Sequence, residues 1–174
     1  MRQAVFLDRD GVINKAIVKN GKPFPPASLD AFELLPGVKS ATLALRKAGF
    51  LIVVVTNQPD VATGLQARDV VESMHKKLHG AAICDAIKVC YHTDEDACEC
   101  RKPKPGMLLE AAKEWQIDLQ RSFMVGDRWR DIAAGKAAGC RTFFIDYQYR
   151  EISAERPDTV VASLEEAAYQ ILQF

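Results

Sequence analysis

Two carboxylates one residue apart, Asp8 and Asp10, follow the apolar run Val5-Phe6-Leu7 and precede Gly11. An apolar run too short for a helix and bounded by a turn signal predicts a buried strand of a parallel sheet, with Asp8 at its carboxyl end. If the backbone stays extended, both side chains lie on the same side, because strand side chains alternate. Such a pair either binds a metal ion or holds two different protonation states. The residues also suit a plain polar turn.

Polar groups stand at the ends of the later predicted strands as well. They are Thr56-Asn57 after the second strand, Arg101-Lys102-Pro103-Lys104-Pro105-Gly106 after the third, and Gly126-Asp127 with Asp131 beyond after the fourth. In a parallel sheet these groups converge on one edge. A hydroxyl, a cation and extra carboxylates around a carboxylate pair are the parts of a phosphoryl-transfer site. Each of these groups could have an ordinary structural role on its own. The prediction of a phosphoryl-transfer site therefore rests on their occurring together in this order along the chain.

The elements that must position these groups alternate between strand and helix, which predicts an α/β fold with a doubly wound parallel sheet. After the first strand, we expect strands at 51–55, 86–90, 123–125 and 142–145 and a short edge strand at 159–161. Helices are expected from Pro36-Gly37 to Gly49 and at 67–78, 105–115, 131–138 and 164–172. The segment with Gly21, Pro23, Pro25 and Pro26 is expected to lack regular structure and to lie over the strand ends as a flap.

Length and composition narrow the class of protein. The 174 residues are expected to form a single domain, 1–174, and 48% hydrophobic with 26% charged residues is ordinary for a globular protein. Lys and Arg total 23, as do Asp and Glu, so the net charge of zero argues against nucleic acid or a membrane as partner and favours a small molecule. With no apolar leader or transmembrane run, we expect a cytoplasmic protein, and we expect a monomer.

Three of the five cysteines stand close together, and with one histidine they form a possible metal-binding set: Cys90, His92, Cys98 and Cys100. Three thiolates and an imidazole suit a closed structural Zn²⁺ site, although the one-residue gaps are tighter than usual finger spacing. Buried or solvated thiols are the alternative. A metal here would hold the loop that leads directly into Arg101 and Lys102.

Four further residues that could do chemistry are expected to be structural. Cys84 and Cys140 lie near apolar elements and should be core residues. His75 and His79 are one helical turn apart but lack the glutamate of His-Glu-x-x-His, so a solvated helix face is expected for both.

The chain resembles the haloacid dehalogenase (HAD) superfamily, whose four motifs match Asp8-Arg9-Asp10-Gly11-Val12, Thr56-Asn57, Lys102 with its neighbours, and Gly126-Asp127 with Asp131. More closely, residues 8–14, 56–58, 98–107 and 125–128 are similar to the D-glycero-D-manno-heptose 1,7-bisphosphate phosphatases, with the histidinol-phosphate phosphatases as near relatives. The resemblance covers nearly the whole chain and implies a HAD-like Rossmannoid fold without a large cap domain. One departure, residues 58–64 instead of the family's usual Gln-Ser-Gly-Ile-Ala-Arg-Gly, puts substrate choice in doubt.

The resemblance implies a Mg²⁺-dependent phosphatase acting on a phosphorylated sugar through an aspartyl-phosphate. The implied roles are Asp8 as nucleophile, Asp10 as general acid and base, Thr56 and Lys102 as ligands of the transferring phosphoryl group, Asn57, Arg101 and Arg128 as substrate-binding residues, Asp8, Asp10 (through its carbonyl) and Asp127 as Mg²⁺ ligands, and Asp131 as an anchor behind them. It also implies Zn²⁺ on Cys90, His92, Cys98 and Cys100. Lys104 competes with Lys102 for the cationic role.

Two rival classes share part of the pattern. A zinc-bearing interaction module would leave the carboxylates merely structural. A phospho-accepting signalling domain would need its Asp at the end of the third strand, where this chain has Cys90. Phosphate release from a generic ester in the presence of Mg²⁺ separates an enzyme from both.

Overall fold

The computed structural model describes residues 1–151 and 155–174 and contains one six-stranded sheet and one small hairpin. The strands are β1 (Ala4–Leu7), β2 (Ile17–Lys19), β3 (Lys22–Phe24), β4 (Leu51–Asn57), β5 (Ala86–Cys90), β6 (Phe123–Gly126), β7 (Arg141–Ile145) and β8 (Thr159–Val161). The large sheet has the order β5-β4-β1-β6-β7-β8, and every pairing in it is parallel. The predicted doubly wound sheet is therefore confirmed.

Five helices cover the two faces of this sheet: α1 (Val38–Lys47), α2 (Arg68–Gly80), α3 (Gly106–Trp115), α4 (Trp129–Ala138) and α5 (Leu164–Ile171). Apolar residues of α1, α2 and α5 belong to one core cluster, and those of α3 and α4 belong to the other. The spacing of Val38, Ala41 and Leu45 shows why α1 forms, since it places three buried side chains on one helical face. None of the described helices is long and apolar enough to cross a membrane.

The central strand β1 is buried on both faces. Val5 and Leu7 pack into the α1/α2/α5 cluster, while Ala4 and Phe6 pack into the α3/α4 cluster. β1 pairs with β4 on one side and with β6 on the other. The chain first builds outward through β4 and β5 and then crosses to the far side of β1. The strand order reverses at β1, and ligands of open α/β sheets bind at such a point.

The segment after Asp10 corrects one prediction. It was expected to lack regular structure, but β2 and β3 form an antiparallel hairpin in which Lys19 pairs with Lys22. Asn20 and Gly21 connect the strands with φ of 53° and 76°. Two positive φ angles are the signature of a type I′ turn, and Asn-Gly is the dipeptide that adopts it most readily. No large cap domain is present among the described residues.

Helix and strand ends coincide with the predicted ones or differ from them by one or two residues. α4 begins at Trp129 and not at 131, because Asp131 caps the helix by accepting a hydrogen bond from the Arg128 N–H at 3.0 Å. β4 runs on to Asn57, so Thr56 and Asn57 are the last residues of a paired strand.

Candidate active site

A pocket of about 310 Å³ opens at the carboxyl ends of β1, β4 and β6. Its lining combines carboxylates, cations and a rim from the hairpin: Asp8, Asp10, Pro23, Phe24, Pro25, Asn57, Pro59, Asp60, Asp94, Arg101, Lys102, Arg128, Arg130 and Asp131. The segment 23–25 thus lies over the strand ends, where the sequence placed it. The structure brings together most of the residues that the sequence singled out.

Asp8 contacts a buried lysine at the base of the pocket. Its Oδ1 accepts a hydrogen bond from Lys102 Nζ at 2.7 Å, and its own N–H donates to the carbonyl of Val125 at 3.0 Å. Burial raises the pKa of Asp8 to about 7; Lys102 opposes this, while Asp131 and Asp10 add to it. The charge of Lys102 therefore does not fully offset the effect of burial on the Asp8 carboxylate.

Lys102 is buried and fully engaged. Besides Asp8, its Nζ donates to Asp131 Oδ1 at 2.6 Å and to the Val55 carbonyl at 2.7 Å. Burial lowers the pKa of Lys102, but the adjoining Asp131 and Asp8 outweigh this and raise it above its ordinary value. Three acceptors match the three N–H groups of an ammonium, so Lys102 is a fixed positive charge.

Asp127 is buried with both carboxylate oxygens lacking a hydrogen-bond partner. The Tyr149 hydroxyl lies beside this carboxyl. Burial, followed by Asp8 and Asp131, raises the pKa of Asp127 well above its ordinary value. A buried carboxylate without partners is costly unless a cation joins it.

These carboxylates fit a divalent cation. Oxygen atoms from Asp8, Asp127 and Asp131 all lie within 4.8 Å of one another, and carboxylate oxygens are the ligands that Mg²⁺ prefers. Asp131 already accepts from Lys102 and from the Arg128 N–H, which leaves Asp8 and Asp127 as the freer pair. At Gly11, a Cβ atom would lie 2.0 Å from Asp127 Oδ2, so only glycine allows the two segments to approach this closely.

Asp10 is held by three side chains that the sequence analysis did not assign to the site. Its carboxylate accepts from Arg9 Nη2 at 3.0 and 3.1 Å, from Asn14 Nδ2 at 2.9 Å and from Gln58 Nε2 at 2.8 Å. Arg9, Asn14 and Gln58 all lie in the motif stretches 8–14 and 56–58, which was the available signal. Their contacts depend on how β1 and β4 meet, which spacing alone does not give.

Thr56 and Asn57 differ in their exposure to the pocket. Thr56 is buried, and its hydroxyl accepts from Gln58 Nε2 at 2.9 Å. Asn57 lines the pocket, and its amide bonds the main chain of Lys102 twice, donating to the carbonyl at 3.0 Å and accepting from the N–H at 3.1 Å. Asn57 therefore ties the end of β4 to the loop that supplies the lysine.

Arginines occupy the outer part of the pocket. Arg101 and Arg130 both donate to Asp94 Oδ1, at 2.8 and 2.7 Å, and these two hydrogen bonds lower the pKa of the Asp94 carboxyl. Arg128 pairs with Glu151. Arg130 was not predicted as a site residue, and only the structure brings it beside Arg101.

The two lysines that competed for one role lie in different places. Lys102 reaches Asp8, whereas the side chain of Lys104 is exposed and donates to Glu99 at 2.7 Å. Lys104 does not line the pocket. Lys102 is therefore the lysine that contacts Asp8.

The cysteine and histidine set forms one compact cluster. Distances include 3.0 Å between the sulfurs of Cys90 and Cys100, 3.7 Å between those of Cys90 and Cys98, and 3.3 Å from His92 Nδ1 to Cys100 Sγ. All four ligand atoms lie within 4.8 Å of one another. Zinc bonds of about 2.3 Å to sulfur and 2.0 Å to nitrogen imply tetrahedral edges of about 3.5–3.8 Å; the Cys90–Cys98 and His92–Cys100 separations are close to these values, and the Cys90–Cys100 separation is shorter.

The remaining cysteines and histidines divide as follows. Cys84 and Cys140 are buried in the two core clusters, as expected. The prediction for His75 was wrong: it is buried, with Nε2 3.1 Å from Arg9 Nη1. His79 is exposed, as expected. A helix register alone could not show that the charged end of Arg9 meets α2 at His75.

Comparison with known proteins gives consistent matches. The HAD-hydrolase-like family matches residues 99–167. The D-glycero-β-D-manno-heptose-1,7-bisphosphate 7-phosphatase of Rhodopseudomonas palustris is 39% identical over 155 residues, 82% of this chain and 82% of that protein. The Haemophilus ducreyi protein of the same name is 35% identical over 94% of each chain. The crystal structure of the B. bronchiseptica D,D-heptose 1,7-bisphosphate phosphatase, complexed with magnesium and phosphate, has a TM-score of 0.83 at 33% identity and covers 98% of each chain.

Proposed function

The chain belongs to the D-glycero-β-D-manno-heptose-1,7-bisphosphate 7-phosphatase family of HAD-like hydrolases, and from that membership we propose that it removes the 7-phosphate of this heptose bisphosphate. It is a phosphatase, a phosphoric monoester hydrolase. The observation that carries the proposal is the contact of Asp8 with Lys102 at the base of a pocket lined further out by arginines, with the buried Asp127 carboxylate within 4.8 Å of Asp8.

In the first step, an Asp8 carboxylate oxygen attacks the phosphorus atom, and the bond from phosphorus to the sugar oxygen breaks. Asp10, protonated at this stage, gives its proton to that oxygen, so the sugar leaves as an alcohol. Lys102 and the Thr56 hydroxyl stabilise the phosphoryl oxygens. The product is an aspartyl-phosphate on Asp8.

In the second step, the Asp10 carboxylate takes a proton from a water molecule as its oxygen attacks phosphorus. The bond from phosphorus to Asp8 breaks, which releases phosphate and restores both carboxyl groups. The hydrogen bonds that Asp10 receives from Asn14 and Gln58 keep it near the reacting atoms in both steps. One residue thus serves as acid and then as base.

Two metal ions belong to this proposal. Asp8, Asp127 and the main-chain carbonyl of Asp10 would hold Mg²⁺, which supplies positive charge against the repulsion between carboxylate and phosphate. Cys90, His92, Cys98 and Cys100 would hold Zn²⁺ in a closed site without an open position for water. Because no position is open for water, the role of the zinc is structural. Cys100 is only two residues from Lys102, so the metal would hold the loop that carries the lysine.

The outer arginines support a substrate with a second anionic group. Arg101 and Arg128 line the pocket beyond Lys102, and guanidinium groups bind phosphate bidentately. None of the five cysteines forms a disulfide in the described structure, which suits the reducing conditions of the cytoplasm.

Phosphate release from the purified protein tests the function. With Mg²⁺ present, we expect efficient hydrolysis of D-glycero-β-D-manno-heptose 1,7-bisphosphate, and ³¹P NMR should show loss of the 7-phosphate alone. The α anomer and histidinol phosphate serve as competing substrates, and Asp8→Asn is the inactive control. A higher kcat/KM for histidinol phosphate would reassign the substrate, and no release from any ester would refute the function.

A further inference from the structure

Arg9 is a completely buried cation that the reaction described above does not use. It has no exposed surface, and its Cζ lies 5.7 Å from the centre of the Phe32 ring. A buried guanidinium must be paired and hydrogen-bonded to be tolerated. Its Nη2 donates to both carboxylate oxygens of Asp10, and its Nη1 lies 3.1 Å from Nε2 of His75. Arg9 therefore connects the helix α2 to Asp10.

The direction of the hydrogen bond between Arg9 and His75 follows from the chemistry of the two groups. A guanidinium only donates, so Nε2 of His75 must be the acceptor, and the ring proton lies on Nδ1. Burial, followed by the charge of Arg9, lowers the pKa of His75 to about 4. The ring is therefore neutral at physiological pH and able to accept.

The hydrogen bond between Arg9 and His75 affects the orientation of the Asp10 carboxylate. A guanidinium is planar and rigid, so fixing Nη1 against His75 fixes the plane in which Nη2 faces the carboxylate. Without the acceptor on α2, the group could turn about its side-chain bonds, and the Asp10 carboxylate would lose one of its three supports. Efficient proton transfer needs the donor within hydrogen-bond reach and correctly aimed.

We propose that His75 is a positioning residue for the phosphatase reaction, which accepts the Arg9 hydrogen bond and through Arg9 orients the Asp10 carboxyl for proton transfer. This inference rests on the proposed function. It assigns His75 no contact with the substrate or with a metal ion. Its effect should therefore be confined to the steps in which Asp10 transfers a proton, and kcat/KM reports the first of them, the transfer of the phosphoryl group to Asp8.

A pair of amide substitutions isolates the acceptor. In His75→Gln the amide oxygen can occupy the place of Nε2, whereas in His75→Asn the shorter amide reaches only the place of Nδ1. His75→Leu serves as a second variant without an acceptor, so that the test survives if one of them fails to fold. His79→Leu, at an exposed position of the same helix, is the control for changes in α2.

The measurement compares two substrates that differ in their need for a proton. A sugar phosphate must be protonated as it leaves, whereas p-nitrophenolate leaves unaided. We expect His75→Asn to lower kcat/KM about 10- to 100-fold for the sugar phosphate but less than about 3-fold for p-nitrophenyl phosphate. His75→Gln should stay within about 3-fold of wild type on both substrates, and Asp10→Asn should show the same selectivity as His75→Asn in larger measure.

The possible failures are distinguishable. If the wild-type enzyme hydrolyses the sugar phosphate but His75→Asn or His75→Leu affects both substrates equally, or neither, the positioning role is wrong. Failure of His75→Gln to restore the rate would also overturn it. If the wild-type protein releases no phosphate from any ester, the proposed function fails instead, and the inference fails with it.

Discussion

The Nζ atom of Lys102 lies 2.6 Å from Oδ1 of Asp131, slightly closer than the 2.7 Å that separates it from Asp8. The charge of the lysine is therefore divided between an anchoring carboxylate and the proposed nucleophile. Asp131 holds the ammonium in place, and its other oxygen caps α4. The lysine contacts two of the three buried carboxylates, and the proposed Mg²⁺ beside Asp127 would supply further positive charge to this group.

Asp8→Asn should abolish turnover and leave the fold intact. The amide is nearly the size of the carboxylate but cannot form the aspartyl-phosphate. Phosphate release over many turnovers measures the effect, and circular dichroism checks the fold. Sustained turnover by a pure Asp8→Asn sample would show that another group is the nucleophile.

Lys102→Met should abolish activity and destabilise the protein, whereas Lys104→Met should change neither measurably. Removing the buried ammonium leaves Asp8 and Asp131 facing each other without a cation, which costs roughly 3–5 kcal/mol. Lys104 is exposed and pairs only with Glu99. Urea unfolding and phosphate release measure both variants. Equal effects of the two substitutions would contradict the site described for Lys102.

The purified protein should contain about one zinc per chain, and Cys98→Ala should lower the zinc content and kcat/KM while the Mg²⁺ requirement stays. The loop reaches Arg101 and Lys102 directly after Cys100, and a shift near 1 Å there could cost about 10²-fold in rate. Elemental analysis and steady-state kinetics measure these effects. Cys140→Ala, in the core, should keep its zinc and is the control. Absence of zinc from protein prepared without chelator would refute the zinc site.

The free energy of unfolding should fall as the pH drops from about 6.5 towards 4, and part of this fall should be absent in His75→Gln. The unfolded chain protonates His75 near its ordinary pKa, whereas burial, followed by the charge of Arg9, lowers the pKa in the folded protein to about 4. The unfolded state thus binds more protons in this window, and the loss approaches roughly 3 kcal/mol at its lower end. Urea unfolding at several pH values measures it. Parallel curves for the two proteins would contradict the assignment.

The sheet could be predicted because its strands are short apolar runs, such as Leu51 to Val55, whose burial on both faces leaves few alternatives. The hairpin is harder to predict, because prolines in the segment argue against strands while the Asn20-Gly21 turn between two short strands argues for them. For Pro23 the structure shows the reason that it is tolerated: it lies in a two-stranded ribbon, outside the main sheet.

The residues of the candidate site that directly follow a strand could be predicted from the sequence, but the side chains that surround them could not. Asp8 and Asp127 follow from position, since they come directly after β1 and β6 and parallel strands deliver their last residues to one edge, whereas Lys102 lies in the loop beyond β5 and position alone left Lys104 as its competitor. His75 does not, because its environment depends on the angle at which α2 packs. Arg130 and Gln58 are similar cases, in which a long or polar side chain gains its contact only in the assembled pocket.

The place of β1 in the sheet has a consequence for synthesis on the ribosome. β1 precedes every other strand in the chain, yet Val5 pairs with Phe123, which is made more than a hundred residues later. At about 5–20 residues per second, the β6 side of β1 waits roughly ten seconds for its partner. During that time its main-chain groups offer an open edge to other nascent chains, and Asp127 does not yet exist. Active enzyme therefore emerges only late in translation, and chains truncated before Phe123 should be targets for chaperones.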